Sequence, residues 1–368
     1  MNKLPISACI IIKNEESHIV NCINSLKSIV TEIVVIDTGS TDHTISVVLQ
    51  EDIKLHHYQW RDNFSEARNY SISIATQPYI LVIDADETLD QTTVRFLAEY
   101  TEQLSNKPAA VNIRSIIDAH RIVNSRITRL FPNSPDYRYE GIVHEQLTYK
   151  DKPLEVIQST GVILHHDGYR ETEIQKKQKV ERNLLLLRKQ LELDPNSIYV
   201  KFQIGQTYYV NGKYEEAIQC FDRTLQMASE QGSLPSYMST VFLSYGYCLM
   251  NLREFDFLDN LIQDAIEFYP DFTDLYFLYG VSLIERKDVQ KFIAIQEAFD
   301  YCLHLGEVTN HSYESVEGVG SYRALYNLGV YYEVTNNLNE AIEHYSRSAE
   351  YKFGPAIIKT QYYNAERS

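Results

Sequence analysis

Tyr79-Ile80-Leu81-Val82-Ile83-Asp84-Ala85-Asp86-Glu87 is the stretch on which the first half of this chain turns. Five apolar residues in a row, three of them branched at Cβ, predict a strand buried on both faces of a mostly parallel sheet. That strand runs directly into two carboxylates separated by one small residue. Side chains at the C-terminal end of a parallel strand face the crevice where such sheets bind ligands. Hard divalent cations take carboxylate oxygens and bridge to substrate phosphates, so Asp-Ala-Asp here is a candidate holder for a metal and a nucleoside diphosphate. The plain alternative is an acidic turn, because Asp is common wherever a strand ends.

The upstream sequence repeats the arrangement. Residues 6–12 predict a strand followed by Lys13-Asn14-Glu15-Glu16. Ile19, Cys22, Ile23, Leu26 and Ile29 then recur at helical spacing. Ile33-Val34-Val35-Ile36 predicts a second strand ending in Asp37-Thr38-Gly39-Ser40-Thr41-Asp42, a tight turn into a helix N-terminus. A helix over Phe64-Ser65-Glu66-Ala67-Arg68-Asn69 leads back to the strand at 80–83. Strand–helix alternation with short loops implies βαβ units. Three strands therefore end in acids, Glu15/Glu16, Asp37 and Asp84/Asp86, and all three ends open on one crevice.

CIIIKNEE, VVIDTGSTDHT and FSEARNYSISIATQPYILVIDADE, in that order, resemble the family 2 glycosyltransferases of the GT-A fold, over roughly the first 180 residues. The resemblance implies a Rossmann-like α/β domain that takes a sugar nucleotide. It places Asn14 and Glu15 or Glu16 along the nucleoside, Asp37 on the uracil, Asp84 on the ribose and Asp86 on a divalent metal. Arg68 is then the cation expected beside the diphosphate, since a guanidinium fork matches phosphate oxygens; otherwise it is a helix arginine in an ion pair.

Beyond the Asp-x-Asp stretch, 94–105 predicts an amphipathic helix and 109–117 a strand. TRLF (128–131), YEGIVHE (139–145) and LHHDGY (164–169) follow, then a Lys-rich segment and RNLLLL. Together these are similar to the bacterial peptide S-glycosyltransferases of glycocin biosynthesis, the sublancin type, in which helical repeats follow the transferase domain. By that likeness His166 completes the metal site, as a borderline imidazole ligand, and Glu145 or His144 is the acceptor base. A carboxylate base favours Glu145, whereas an imidazole suits a thiol acceptor, and the choice stays open. Lys177 and Lys179 are candidates to neutralise the leaving diphosphate; a charge run otherwise means a solvated helix face.

From Asn196 onward strand signals stop. Gly205, Gly246, Gly280 and Gly329 each sit in an aromatic-rich helical pattern, and Gly246 to Gly280 is the tetratricopeptide period of about 34 residues. Twelve residues on stand Ala217, Leu258, Phe292 and Ala341, and sixteen on stand Phe221, Ile262, Gln296 and Tyr345. Four units are expected, the first and fourth near consensus and the middle two degenerate. Neighbouring helix pairs bury one another and stack into a solenoid, whose Tyr-rich concave face would dock a peptide or a second subunit of a homodimer.

The expected organisation is a GT-A domain over 1–174, a connecting helix over 175–195 and an all-α repeat solenoid over 196–368. The net charge of −16 argues against nucleic acid as a partner. Five scattered cysteines without metal-type spacing fit reduced thiols, and the N-terminal apolar run is too short for a signal peptide or membrane span. A cytoplasmic location is expected. The implied reaction is inverting transfer of a sugar, glucose from UDP-glucose, with Mg²⁺ or Mn²⁺, onto a Cys or Ser of a small peptide. Two alternatives stand beside it: transfer onto lipopolysaccharide core or another surface glycan, and a repeat-based binding protein carrying an inactive transferase domain.

Overall fold

The computed structural model describes residues 3–51, 53–118, 121–167, 173–232, 234–287, 289–310 and 312–367. The chain divides into two compact units, one of residues 1–117 and 124–196, the other of 118–123 and 197–368.

Unit 1 is built on a mostly parallel sheet. Its strands are β1 (Leu4–Ile12), β2 (Val30–Asp37), β3 (Lys54–His57), β4 (Tyr79–Val82), β5 (Glu87–Leu89), β6 (Ala109–Asp118), β7 (Arg121–Pro132) and β11 (Gln158–Asp167), in the order β3-β2-β1-β4-β7-β6-β11-β5. A second, three-stranded antiparallel sheet joins β8 (Tyr137–Glu140), β9 (Gln146–Tyr149) and β10 (Lys152–Pro153). Helices α1 (Ile19–Leu26), α2 (Thr44–Leu49), α3 (Phe64–Ser73), α4 (Val94–Glu102) and α5 (Glu173–Leu193) complete it.

The alternation read from the sequence is realised as three parallel pairings, β2 on β1, β1 on β4 and β3 on β2. Strand β4 is buried at every residue, as its unbroken apolar run requires. Ile10, Leu81 and Leu130 lie in one core cluster and Ile36, Ile80 and Phe131 in another, so the central strands contribute side chains to two clusters.

Two antiparallel pairings, which the local pattern does not specify, shape the site. Strand β7 runs against β4 with Ile80 opposite Phe131 and Leu81 opposite Leu130. The next residue of β7, Arg129, is thereby carried toward the Asp84 end of β4. Strand β11 runs against β5 with His166 opposite Glu87, which brings the distal histidine beside Asp86.

The expected domain limits shift in two places. Helix α5 belongs to unit 1, where Gln190 and Lys189 bond to Ile142 and Asp62. Residues 118–123 belong instead to unit 2, where Ile122 O accepts from Glu317 N and Val123 joins the apolar cluster of Phe277 and Phe299.

Unit 2 is otherwise helical, with only the two-residue strand β12 (Ser315–Val316) among its described residues after 197. Four helix pairs follow one another: α6 (Ile198–Val210) with α7 (Tyr214–Glu230), α8 (Met238–Leu252) with α9 (Phe255–Phe268), α10 (Thr273–Arg286) with α11 (Phe292–Leu305), and α12 (Tyr322–Val334) with α13 (Leu338–Glu350). Helix α14 (Gly354–Arg367) ends the described chain.

Gly205 and Gly329 mark where the two helices of their pair touch, whereas a Cβ at Gly246 would lie 2.5 Å from Leu278 of the next pair. A Cβ at Gly205 would lie 2.8 Å from the Phe221 ring, and one at Gly329 would lie 2.6 Å from Tyr345. These are the partners sixteen residues on. The third unit departs from that spacing. Its second helix starts twelve residues after Gly280 rather than nine, because a short 3₁₀ turn, Val289–Lys291, precedes it. Contact therefore passes from Gln296 to Phe299, whose ring would lie 2.8 Å from a Cβ at Gly280, and Ile295 replaces Phe292 as the buried residue. The inserted turn also explains the weak consensus of this unit.

Gly329→Val forces a branched side chain against the fully buried Tyr345, and overpacking of this kind costs about 1–3 kcal/mol. Chemical denaturation followed by far-UV circular dichroism is expected to show a lower midpoint at unchanged slope. An unchanged midpoint would mean that α12 and α13 pack more loosely than described.

Candidate active site

The three acidic strand ends do lie at one edge of the sheet, but their carboxylates have different surroundings. Asp37, the last residue of β2, is almost fully buried and accepts from the Gly39 and Ser40 amides at 3.1 and 3.0 Å. Burial alone would raise its carboxyl, but those turn bonds outweigh it and hold it below the ordinary range. Asn14 has a positive φ of 58°, and its Oδ1 accepts from the Thr41 amide at 2.8 Å, lacing the β1–α1 loop to the β2–α2 loop. Glu16 caps the same region by accepting from the His43 amide at 2.8 Å. Glu15 points elsewhere, to His18 at 3.0 Å. Its carboxyl is raised by burial and by the nearby charge of Asp86.

Asp84 and Asp86, two residues apart, are separated in role. Asp84 accepts from Arg68 Nη2 on one oxygen and from Arg129 Nη2 on the other, both at 2.7 Å. Burial would raise this carboxyl, yet the two guanidinium groups hold it far below the usual carboxylate range. Arg68 also donates through Nε to Glu145 Oε1. Arg129 Nη1 lies 3.7 Å from Glu87 Oε2, and that same oxygen accepts from the Asp84 amide at 2.9 Å. The turn from Asp84 to Glu87 closes with Glu87 N donating to Asp84 O at 3.0 Å. Two arginines and three carboxylates thus form one network in which Arg68, Arg129, Glu87 and Glu145 are each under 10% exposed.

Two residues expected to meet the donor belong to this network. Arg68, expected beside the diphosphate or else in an ion pair, places its Nε and Nη2 on Glu145 and Asp84, because a guanidinium fork meets carboxylates as readily as phosphate oxygens. Asp84, expected to receive a ribose, has both oxygens engaged by arginines, although 31% of its side chain is still exposed. Removing either arginine would strand buried carboxylates, which is strongly destabilising.

Asp86 turns the other way. Its Oδ2 lies 3.2 Å from His166 Nε2, and the opposite ring nitrogen of His166 meets Ser115 Oγ at 3.3 Å. The contact with Asp86 raises the imidazole, and burial opposes it. Donors 3.2 Å apart match neighbouring ligands on one octahedral ion, which sit about 3 Å from each other. The oxygen–imidazole pair also suits Mn²⁺, and an oriented outer nitrogen is the usual support of a metal-bound histidine. Among the described residues no group of three or more His, Cys, Asp or Glu is placed to hold a metal ion by itself. An ion held here would complete its shell from substrate phosphate and water, so the residues fit such an ion.

His144 and Glu145 follow Gly141, which has φ +104°, and His144 itself has φ +53°. Burial depresses the imidazole of His144, leaving it neutral near pH 7. Glu145 is seated in the interior by Arg68, with its side chain 8% exposed. Lys179 lies close enough for its charge to act on Glu15, Asp86, His144 and His166. The Lys177 side chain lies outside the described residues, as do Gly168 and Tyr169 of the LHHDGY stretch.

Arg129, Glu87 and Asn69 were not singled out by the sequence reading. Asn69 pairs with both backbone groups of Tyr139, at 2.9 and 2.8 Å, and so docks α3 on β8. For Arg129 one signal existed: a charge directly preceding Leu130 and Phe131 sits at the inner end of a buried strand.

Residues 7–158 match the family model for glycosyl transferase family 2, and 198–231 and 322–353 match the tetratricopeptide repeat. The chain carries a family 2 glycosyltransferase domain followed by tetratricopeptide repeats. A TPR repeat-containing protein of Synechococcus elongatus is 30% identical over 263 residues, covering 68% of this chain and 62% of that protein. The SPbeta prophage-derived glycosyltransferase SunS of Bacillus subtilis is 26% identical over 289 residues, covering 77% of this chain and 68% of SunS. The lipopolysaccharide core biosynthesis glycosyltransferase LpsC of Rhizobium meliloti is 37% identical over 102 residues, covering 26% of this chain and 37% of LpsC. The chain thus spans less than two thirds of the length of the Synechococcus relative. The two segments matching the repeat model are the first and fourth units, the pair nearest consensus. No described helix is long and apolar enough to cross a membrane.

Proposed function

We propose that this chain is a metal-dependent inverting glycosyltransferase that moves a sugar from a UDP-sugar, glucose in the first instance, to a Cys or Ser side chain of a small peptide. The observation that carries this reading is the meeting of Asp86 with His166 at one end of a turn whose other end, Asp84, is tied through Arg68 to Glu145. Donor-side and acceptor-side groups are thereby held by one network. Similarity to SunS over 77% of the chain, repeats included, favours a peptide acceptor.

In this reading Asn14, Glu15, Glu16 and Asp37 border the nucleoside. Asp86 and His166 hold Mg²⁺ or Mn²⁺, and the ion, when bound, neutralises charge on the departing diphosphate. Lys179 adds a cation to the same end, as Lys177 would. Arg68 positions Glu145 rather than touching phosphate. Glu145 has one oxygen on Arg68 and keeps the other to take the acceptor proton, on the face opposite the leaving group. One displacement then inverts the anomeric centre without a covalent enzyme intermediate.

The deciding test is intact mass of candidate Cys and Ser peptides after incubation with a panel of sugar nucleotides and Mn²⁺. A gain of one hexose on a Cys or Ser peptide is the expected result. Sugar transferred only to a lipopolysaccharide core acceptor would favour the glycan reading, which the LpsC similarity supports over 26% of the chain. Binding of peptide with no sugar release at all would make the domain an inactive one.

Acceptor docking is assigned to the repeats. A chain ending at Asn196 is therefore expected to keep slow metal-dependent hydrolysis of the UDP-sugar while losing transfer to peptide by roughly tenfold or more. Equal loss of both activities in a monodisperse truncation would remove the repeats' separate role.

A further inference from the structure

The loop carrying His144 and Glu145 is held from a helix that the sequence pattern presents only as a connector. Gln190 lies in the last turn of α5 and is partly buried, and its Oε1 accepts from the Ile142 amide at 2.8 Å. The carbonyl of that same residue accepts from the Phe64 amide at 2.8 Å. Ile142 is thus gripped on both backbone groups, by α5 and by the first residue of α3. Gly141, with φ +104°, lets the chain pass close to Gln190: a Cβ there would lie 3.3 Å from Gln190 Nε2.

Two further contacts keep α5 in register with this loop. Lys189 Nζ meets Asp62 Oδ2 at 3.0 Å, just before α3, and the Arg182 guanidinium lies over the Phe64 ring at 5.2 Å. The loop needs such support. His144 holds a positive φ that a branched or bulky side chain disfavours, and Glu145 must reach inward to Arg68.

We infer that Gln190 is a positioning residue for the acceptor-side base, fixing the 141–145 loop through the Ile142 amide so that Glu145 stays on Arg68. The inference rests on the reading of Glu145 as that base. It also assigns α5 to the catalytic unit in function as well as in packing, which makes residue 196 rather than 174 the natural boundary.

The test compares Gln190→Met, which keeps length and packing but removes the acceptor, with Gln190→Glu, which restores an oxygen at the same place. Transfer to the peptide acceptor, UDP binding by calorimetry and amide hydrogen exchange of the 141–145 segment are measured on the full chain. Gln190→Met is expected to lower kcat about 10- to 100-fold, the scale of a misplaced catalytic group. The KM for UDP-sugar and the Kd for UDP should stay within about twofold, since no proposed donor group lies in the 141–145 loop and Lys179 stands about three turns away on α5. Exchange across 142–145 should quicken, and Gln190→Glu should return both kcat and exchange most of the way.

A wild-type kcat in Gln190→Met overturns the inference. So does equal damage by both substitutions, or a kcat loss matched by weaker UDP binding, each of which marks a general folding role. If the wild-type chain transfers no sugar, the functional reading fails by itself, and exchange still decides the loop: unchanged protection in Gln190→Met overturns the positioning role.

Discussion

Asp86→Ala is expected to abolish sugar transfer and metal-dependent UDP binding while leaving the chain folded. The carboxylate makes one described side-chain contact, to His166, and faces the charges of Glu15 and Asp84. Removing it relieves repulsion while losing the His166 contact and the attraction of Lys179, so the melting temperature should move little. Its proposed task lies outside the protein, on an ion that also touches diphosphate. Losing one of two protein ligands should weaken Mn²⁺ binding by roughly a hundredfold or more, since even supporting residues of metal sites cost about 10–100-fold. Calorimetry with UDP in the presence and absence of Mn²⁺ reads this directly. Metal-dependent UDP binding at wild-type strength, or a variant that unfolds, would take the ion away from Asp86. Chelation of the wild-type chain should reproduce the loss, and added Mn²⁺ should reverse it.

Glu145→Gln carries the second large effect. The amide keeps size and can still accept from Arg68 Nε, so the network around Asp84 survives with one charge fewer. Only the proton acceptor is removed. Binding of UDP-sugar should stay normal, and kcat should fall by roughly two or more decades, within the range of general base catalysis. The loss should be smaller for a Cys peptide than for its Ser counterpart. A thiol with pKa near 8.5 is already a few per cent ionised at neutral pH, whereas a serine hydroxyl is not. Raising the pH should therefore partly rescue the Cys peptide alone. Weakened donor binding without pH rescue would give Glu145 a structural role. A comparable kcat loss confined to His144→Ala would make the imidazole the base, a part open to it because burial keeps it neutral near pH 7.

Both results bear on why one network spans the site. Asp84 takes an arginine on each oxygen, and each arginine reaches a second acid, Glu145 through Arg68 and Glu87 through Arg129. Loop 141–145 and turn 84–87 are thus set against each other by charge-assisted bonds, which tolerate little displacement. Such a device holds Glu145 and the turn bearing Asp86 in place without the two carboxylates touching each other.

The chain order alone determines a good deal here. Apolar runs ending in acids mark β1, β2 and β4, and the alternation between them yields the parallel pairings, because the strand and helix periods are properties of consecutive residues. The four glycines mark the helix pairs of the repeats for the same reason, and at Gly205 and Gly329 the partner sixteen residues on is the one in contact. What local periodicity does not encode lies across strands or across a changed turn. Arg129 reaches Asp84 only through the antiparallel register of β7 on β4, and His166 reaches Asp86 only through β11 on β5. Phe299 replaces Gln296 because three residues enter a turn, which rotates the following helix face. Arg68 shows the limit most plainly. Its type and place were legible, but its partner depended on which anions the fold brings within reach, and a buried guanidinium bonds the nearest carboxylates. Local periodicity is encoded residue by residue, whereas register and charge pairing are settled only when separate elements pack and exclude water.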